Sequence, residues 1–193
     1  MMSFFELVKS NRSCRRFDQS VKLDREVLKE LVDLARMSAS AGNMQPLKYI
    51  TSTDDKKNEE IFSCLKWAAY LKDWKGPEKL ERPTGYVIIL GDKKISKNFW
   101  CDHGIAAQTM LLGARDKGLA GCIFGAINHP GLKKVFDVDG NFEILLVVAL
   151  GKPVEKIKLE KVGADGDIKY FRDDDLLHHV PKRELDEIII NSY

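Results

Sequence analysis

The longest apolar run in the chain, Ile144–Leu150, sets the first constraint on its fold. A membrane-spanning helix needs about 20 consecutive apolar residues. This run is far shorter and has the length of a strand. It forms the centre of the strongest predicted strand, 142–151. Further strands are predicted at 47–51, at 86–90 and, after a turn, within 118–125.

Helical spacing fills most of the remaining chain. A short helix is predicted over 4–10. A second helix is capped by Asp24 and buries one stripe, Val27, Leu28, Leu31, Val32 and Ala35. A third helix is predicted from Asp54 to about Tyr70, with Ile61, Leu65 and either Ala68 or Ala69 on one face. A long helix over 99–117 carries Gly104, Ala106, Ala107 and Gly113, small residues that allow a neighbour to approach closely. Asn128 is placed to cap a further helix with Pro130 in its first turn. A last helix is predicted to start near Glu184, after a stretch read mostly as loop. Residues 72–84, with Gly76, Pro77 and Pro83, are expected to form an irregular surface loop or lid.

These elements do not alternate strictly, which predicts an α+β fold rather than a doubly wound one. The length of 193 residues suits one domain spanning 1–193. Neither G-x-G-x-x-G nor G-x-x-x-x-G-K-[ST] occurs, so the familiar glycine-rich phosphate loops are absent. A net charge of +2 gives no overall attraction to nucleic acid or membrane, and neither is expected as a partner. Glu6 interrupts any apolar leader, so no signal peptide is expected. Cys14, Cys64, Cys101 and Cys122 form no C-x-x-C, and no second ligand pair accompanies Cys101 and His103. Reduced thiols and a cytoplasmic location follow as expectations.

Three constellations carry possible chemistry. In Arg12-Ser13-Cys14-Arg15-Arg16, guanidinium forks and a hydroxyl within five residues suit a phosphate monoester, although a solvated basic turn has the same composition. In Ser40-Ala41-Gly42-Asn43-Met44-Gln45-Pro46, small residues permit close backbone approach. Ser, Asn and Gln there supply donors and acceptors for a flat amide-edged ring, or simply for a helix-to-strand connector. Pro181-Lys182-Arg183 offers a second phosphate clamp or a solvent-facing charge pair. The histidines make no catalytic set. His103 and His129 fall at helix starts, His178 and His179 in a loop, and no G-x-S-x-G accompanies them. The run Asp173–Asp175 lacks calcium-loop spacing, and no metal site is expected.

Taken in order, these pieces resemble the FMN-dependent nitroreductase family over almost the whole chain. The opening signature is Arg12-Ser13-Cys14-Arg15-Arg16-Phe17, and the Ser-Ala-Gly-Asn-x-Gln-Pro loop is residues 40–46. Asp102-His103-Gly104-Ile105-Ala106-Ala107-Gln108 resembles the interface helix. Residues 118–125 resemble the strand and turn at the flavin edge. Val147–Pro153 and Lys182-Arg183 resemble the closing pattern. Three positions depart from the usual form: Asn11 in place of a further basic residue, Ala39 in place of proline, and Leu47 in place of an aromatic.

The resemblance implies a central, mostly antiparallel sheet flanked by helices in an intertwined homodimer. It implies two FMN sites, each built from both subunits. Arg12, Ser13 and Arg15 would hold the ribityl phosphate, with Lys182 or Arg183 closing over it. Ser40, Asn43 and Gln45 would touch the ring and ribityl chain, and Phe124-Gly125 would approach the reactive edge. NADH or NADPH would donate hydride to flavin N5, and a small acceptor such as a nitroaromatic or quinone would then take the electrons. No side-chain nucleophile is required. Other flavin chemistry on the same scaffold, dehalogenation or dehydrogenation, is the enzyme alternative. A non-catalytic flavin-binding sensor is the alternative of a different class.

Overall fold

The computed structural model describes residues 2–193. Along the chain run α1 (Phe4–Ser10), β1 (Phe17–Asp18), α2 (Arg25–Arg36), β2 (Leu47–Ser52), α3 (Asp55–Ser63), β3 (Gly85–Asp92), α4 (Asp102–Asp116) and β4 (Ala120–Phe124). There follow α5 (His129–Phe136), β5 (Phe142–Pro153), β6 (Ile157–Lys161), β7 (Phe171–Arg172), β8 (His178–Lys182) and α6 (Leu185–Ile188). Helix starts are fixed by short polar side chains that take up otherwise unpaired amides. Asp24 accepts from the Glu26 amide at 2.7 Å, Asp54 from Lys57 at 2.8 Å and Asn128 from Gly131 at 3.2 Å.

The main sheet has the order β1-β5-β3-β2, with β4 also paired to β5, and every pairing in it is antiparallel. Its two faces are covered by different helices. Leu28, Leu31, Met110 and Ala114 of α2 and α4 meet Val87, Ile89, Val148 and Leu150 on one face. Ile61 of α3 and Leu132 of α5 meet Tyr86, Ile88, Ile144 and Val147 on the other. Burial on both faces is why the run 144–150 is apolar throughout instead of alternating. Each fully buried Leu, Ile or Val contributes about 1.5–3 kcal/mol, so this double layer dominates stability. Gly121 sits where β4 lies close against β5, and a Cβ there would collide with the Ala149 carbonyl and with Leu111.

Four expectations need correction. The helix predicted to reach Tyr70 stops at Ser63. Beyond it the chain turns back to the segment after β4: Asn128 N–H donates to Cys64 O at 2.8 Å and Lys66 N–H to Ala126 O at 3.0 Å. Leu65 and Ala68 are buried as predicted, but by this tertiary pairing and not on a helix face. The long helix begins at Asp102, not Phe99. Phe99 fills the space beside Gly91, and Trp100 takes a left-handed backbone, φ 47°. The C-terminal stretch is not mostly loop, because β6, β8 and β7 form a separate small sheet. Within it β6 runs parallel to β8, and His178 and His179 lie on a strand. The last helix does begin after Glu184 but spans only four residues. No helix among the described residues is long and apolar enough to cross a membrane.

Candidate functional site

The basic segment after α1 is clamped from both sides. Ser13 bridges to Gly121 of β4, and Cys14 N–H donates to Gly121 O at 2.9 Å. Arg15 N–H donates to Glu155 Oε2 at 2.6 Å, and Val154 N–H donates to Arg16 O at 3.1 Å. Cys14 and Phe17 point into the core. Arg12, Ser13 and Arg15 instead line a cavity of about 340 Å³, together with Gln108 of α4, His178 of β8 and Lys182 of β8.

The three arginines of the motif play three different parts. Arg16 is committed elsewhere, since it makes two hydrogen bonds to Glu81, at 2.6 and 2.7 Å. Arg12 caps α1 through the Val8 carbonyl, while its Nε is buried without a partner. Burial lowers the Arg12 pKa from its ordinary value. Arg15 rests with its guanidinium 4.8 Å from the centre of the Tyr170 ring. Its side-chain hydrogen bond, to Ser13 O, is long at 3.5 Å. Among the described residues Arg12, Arg15 and Lys182 join no ion pair, so their charge faces the cavity uncompensated. Arg183 does not line the cavity and pairs with Glu187 at 3.3 Å on the surface.

The second constellation is assembled around a residue the sequence reading did not single out for the site. Asp102, buried at the start of α4, accepts from Ser40 Oγ at 2.6 Å and from the Ala41 amide at 3.0 Å. Ser40 Oγ also accepts from the Gln45 amide at 2.9 Å. Gly42, Asn43 and Gln45 all have positive φ, at 57°, 53° and 50°. Two non-glycine residues in that region cost on the order of 1 kcal/mol or more each, and such strain persists only where the surroundings impose it. The Asp102 and Ser40 hydrogen bonds impose it here. The Gln45 side-chain Nε2 donates to the Asn43 carbonyl and Oδ1, both at 3.2 Å, and both side chains remain exposed. Ser40, Gln45, Asp102 and Ala106 border a cavity of about 320 Å³.

This second cavity is distinct from the one lined by Arg12 and Lys182; within one chain the two predicted groups of residues do not meet. Asp102 and Ala106 border one, and Gln108 and Leu111 the other. Between them α4 exposes Gly104, Ile105 and Gln108, and a Cβ on Gly104 would meet nothing within 4 Å. Phe124 points away from both cavities. It is buried against Trp67, with ring centres 4.6 Å apart and planes at 69°. Its neighbour Ile123 lines the first cavity, and Gly125 is exposed. Only the backbone of the Phe124-Gly125 turn is therefore free to approach a ligand. Among the described residues no cluster of His, Cys, Asp or Glu is arranged to hold a metal ion.

An antiparallel sheet covered by helices on both faces defines an α+β protein. A sequence profile of the nitroreductase family matches residues 8–152. The chain belongs to the nitroreductase family and is, by that membership, an oxidoreductase. The Bacillus subtilis protein MhqN, provisionally named an NAD(P)H nitroreductase, is 23% identical, covering 79% of this chain and 89% of MhqN. An FMN-dependent nitroreductase from Clostridium difficile R20291 superposes with a TM-score of 0.68 at 19% identity, over 89% of this chain and 99% of that one. A nitroreductase-type structure from Exiguobacterium sibiricum, solved in complex with FMN, gives 0.67 at 16% identity over 80% and 90%.

Proposed function

We propose that the chain binds FMN between two copies of itself and reduces small organic acceptors with NADH or NADPH. The observation that carries this reading is the convergence of Arg12, Ser13, Arg15 and Lys182 on one cavity with, among the described residues, no carboxylate paired to their side chains. The donor set, including the partnerless buried Nε of Arg12, fits a phosphate monoester. In this reading Arg12, Ser13, Arg15 and Lys182 hold the ribityl phosphate.

Ser40, Asn43 and Gln45 are exposed or half-buried on a stiffened loop that borders a different cavity. In this reading a second copy would pack on the exposed Gly104–Gln108 face of α4 and bring its loop to the first copy's phosphate cavity, giving a homodimer with two shared sites. Asp102, which borders the same cavity, holds that loop in shape through Ser40 Oγ and the Ala41 amide. Gly125 leaves room at the reactive edge, and the buried Phe124 fixes the turn that carries it. FMN held by these residues would supply hydride and electron transfer between a nicotinamide and an acceptor such as a nitroaromatic or quinone. The protein's own tasks are to bind, orient and keep the open face flat.

Purified protein is expected to be yellow and to release stoichiometric FMN on heating, identified by chromatography. FAD in its place, or no flavin after reconstitution, would overturn the proposal.

A further inference from the structure

The cationic cavity has a carboxylate directly behind it. The Glu155 side chain is 0% exposed. One oxygen accepts the Arg15 amide at 2.6 Å. The other accepts Arg172 Nε at 3.0 Å and Nη2 at 2.6 Å, and lies 3.9 Å from His178 Nδ1. Arg15 and His178 both line the cavity, so Glu155 stands one residue removed from it. An unpaired negative charge at that place would repel a phosphate dianion in a poorly screened setting. Arg172, itself only 10% exposed, cancels it and lies 4.1 Å from the ring centre of Trp74 in the 72–84 loop. Glu155 and Arg172 both fall outside residues 8–152, the part matched to the family.

We propose that Glu155 is the positioning residue of the anion cavity and that Arg172 is its obligatory counter-charge. Glu155 anchors the Arg15 backbone so that the guanidinium faces the cavity, and Arg172 keeps the anchor from repelling the ligand. Together they set the preference for a phosphorylated ligand over its uncharged counterpart. The inference rests on the FMN reading and deepens it.

The test compares FMN and riboflavin affinities, by quenching of flavin fluorescence, in the full chain and three variants, with circular dichroism as the check of folding. Arg172→Met leaves Glu155 unpaired. Its FMN affinity is expected to fall on the order of tenfold to a hundredfold, with riboflavin affinity changed less than about threefold. Glu155→Ala removes the anchor and should lower FMN affinity about tenfold, again with riboflavin spared. The double variant Glu155→Gln/Arg172→Met keeps an acceptor for the Arg15 amide without the charge, and should restore the FMN-to-riboflavin ratio to within about threefold of wild type. It also serves if Arg172→Met does not fold. A wild-type ratio preserved in Glu155→Ala would overturn the positioning role. A double variant no better than Arg172→Met, or folded with a ratio far below wild type, would overturn the charge argument. If wild type itself fails to prefer FMN over riboflavin, the FMN reading fails, and this inference fails with it.

Discussion

Substituting Arg12 and Arg15 separates a ligand contact from a structural one. Arg15 makes one long side-chain hydrogen bond, at 3.5 Å, and a stacking contact 4.8 Å from the Tyr170 ring centre. Losing those contacts costs the fold about 0.5–1 kcal/mol. Its proposed partner is a phosphate dianion, where a charge-assisted bond is worth about 1.5–3 kcal/mol, or roughly tenfold to a hundredfold in affinity. Arg12 carries a further burden, because it caps α1 through the Val8 carbonyl and has a buried Nε. Arg15→Ala should therefore bind FMN about tenfold to a hundredfold more weakly, bind riboflavin almost normally and melt within a few degrees of wild type. Arg12→Ala should lose both FMN affinity and about 1–2 kcal/mol of stability. The assay is titration of apoprotein with FMN and with riboflavin, alongside urea unfolding. Unchanged FMN affinity in Arg15→Ala would refute the phosphate assignment and leave a solvated basic turn. Equal weakening of both flavins would mean that the residue acts on the ring or the fold.

Two further outcomes follow from buried groups that border the two cavities. Asp102→Ala removes the acceptor for Ser40 Oγ and the Ala41 amide; it should cost about 2–4 kcal/mol in urea unfolding and weaken FMN and riboflavin alike, whereas a selective loss of FMN would contradict its role as loop anchor. Burial pushes the His178 pKa down to about 4, so its contribution, at most about 3 kcal/mol, is complete above pH 6.5 and is lost as the pH falls towards 4. Hydrogen bonds to Asp173 and Glu160 push the His179 pKa up, so its contribution is complete below 6.5 and is lost as the pH rises through the raised value. Urea unfolding from pH 4 to 8 should show His178→Phe flattening the acid limb alone, and parallel limbs in variant and wild type would refute the assignment.

What could be read in advance was local. Asp24 and Asn128 are capping residues whose partners lie two or three positions away, and each caps the helix expected of it; Asp54, expected as the first residue of its helix, is instead its cap. The run 144–150 needs only its own length to be a strand. The misses involve partners far along the chain. Nothing near Arg16 distinguishes it from Arg15; their difference lies in Glu81 and the cavity. Leu65 and Ala68 have helical spacing from Ile61, but a pairing with residues 126–128 decides the backbone. The β6–β8 pair is parallel and joins residues about twenty apart, which leaves no hairpin signal in the sequence. Asp102 offered one faint local cue, an acidic residue in the first turn of a helix, but its partner loop lies some sixty residues earlier.

The central claim is that the chain uses its bound flavin to pass electrons from a nicotinamide. Anaerobic mixing of the flavin-loaded protein with NADH, and separately with NADPH, followed by a quinone or nitroaromatic, tests it in one absorbance trace. The account predicts bleaching of the flavin band within seconds with at least one nucleotide, and its return when the acceptor is added. A bound flavin that stays oxidised with both nucleotides would contradict the account and identify the protein as a flavin-binding module without turnover.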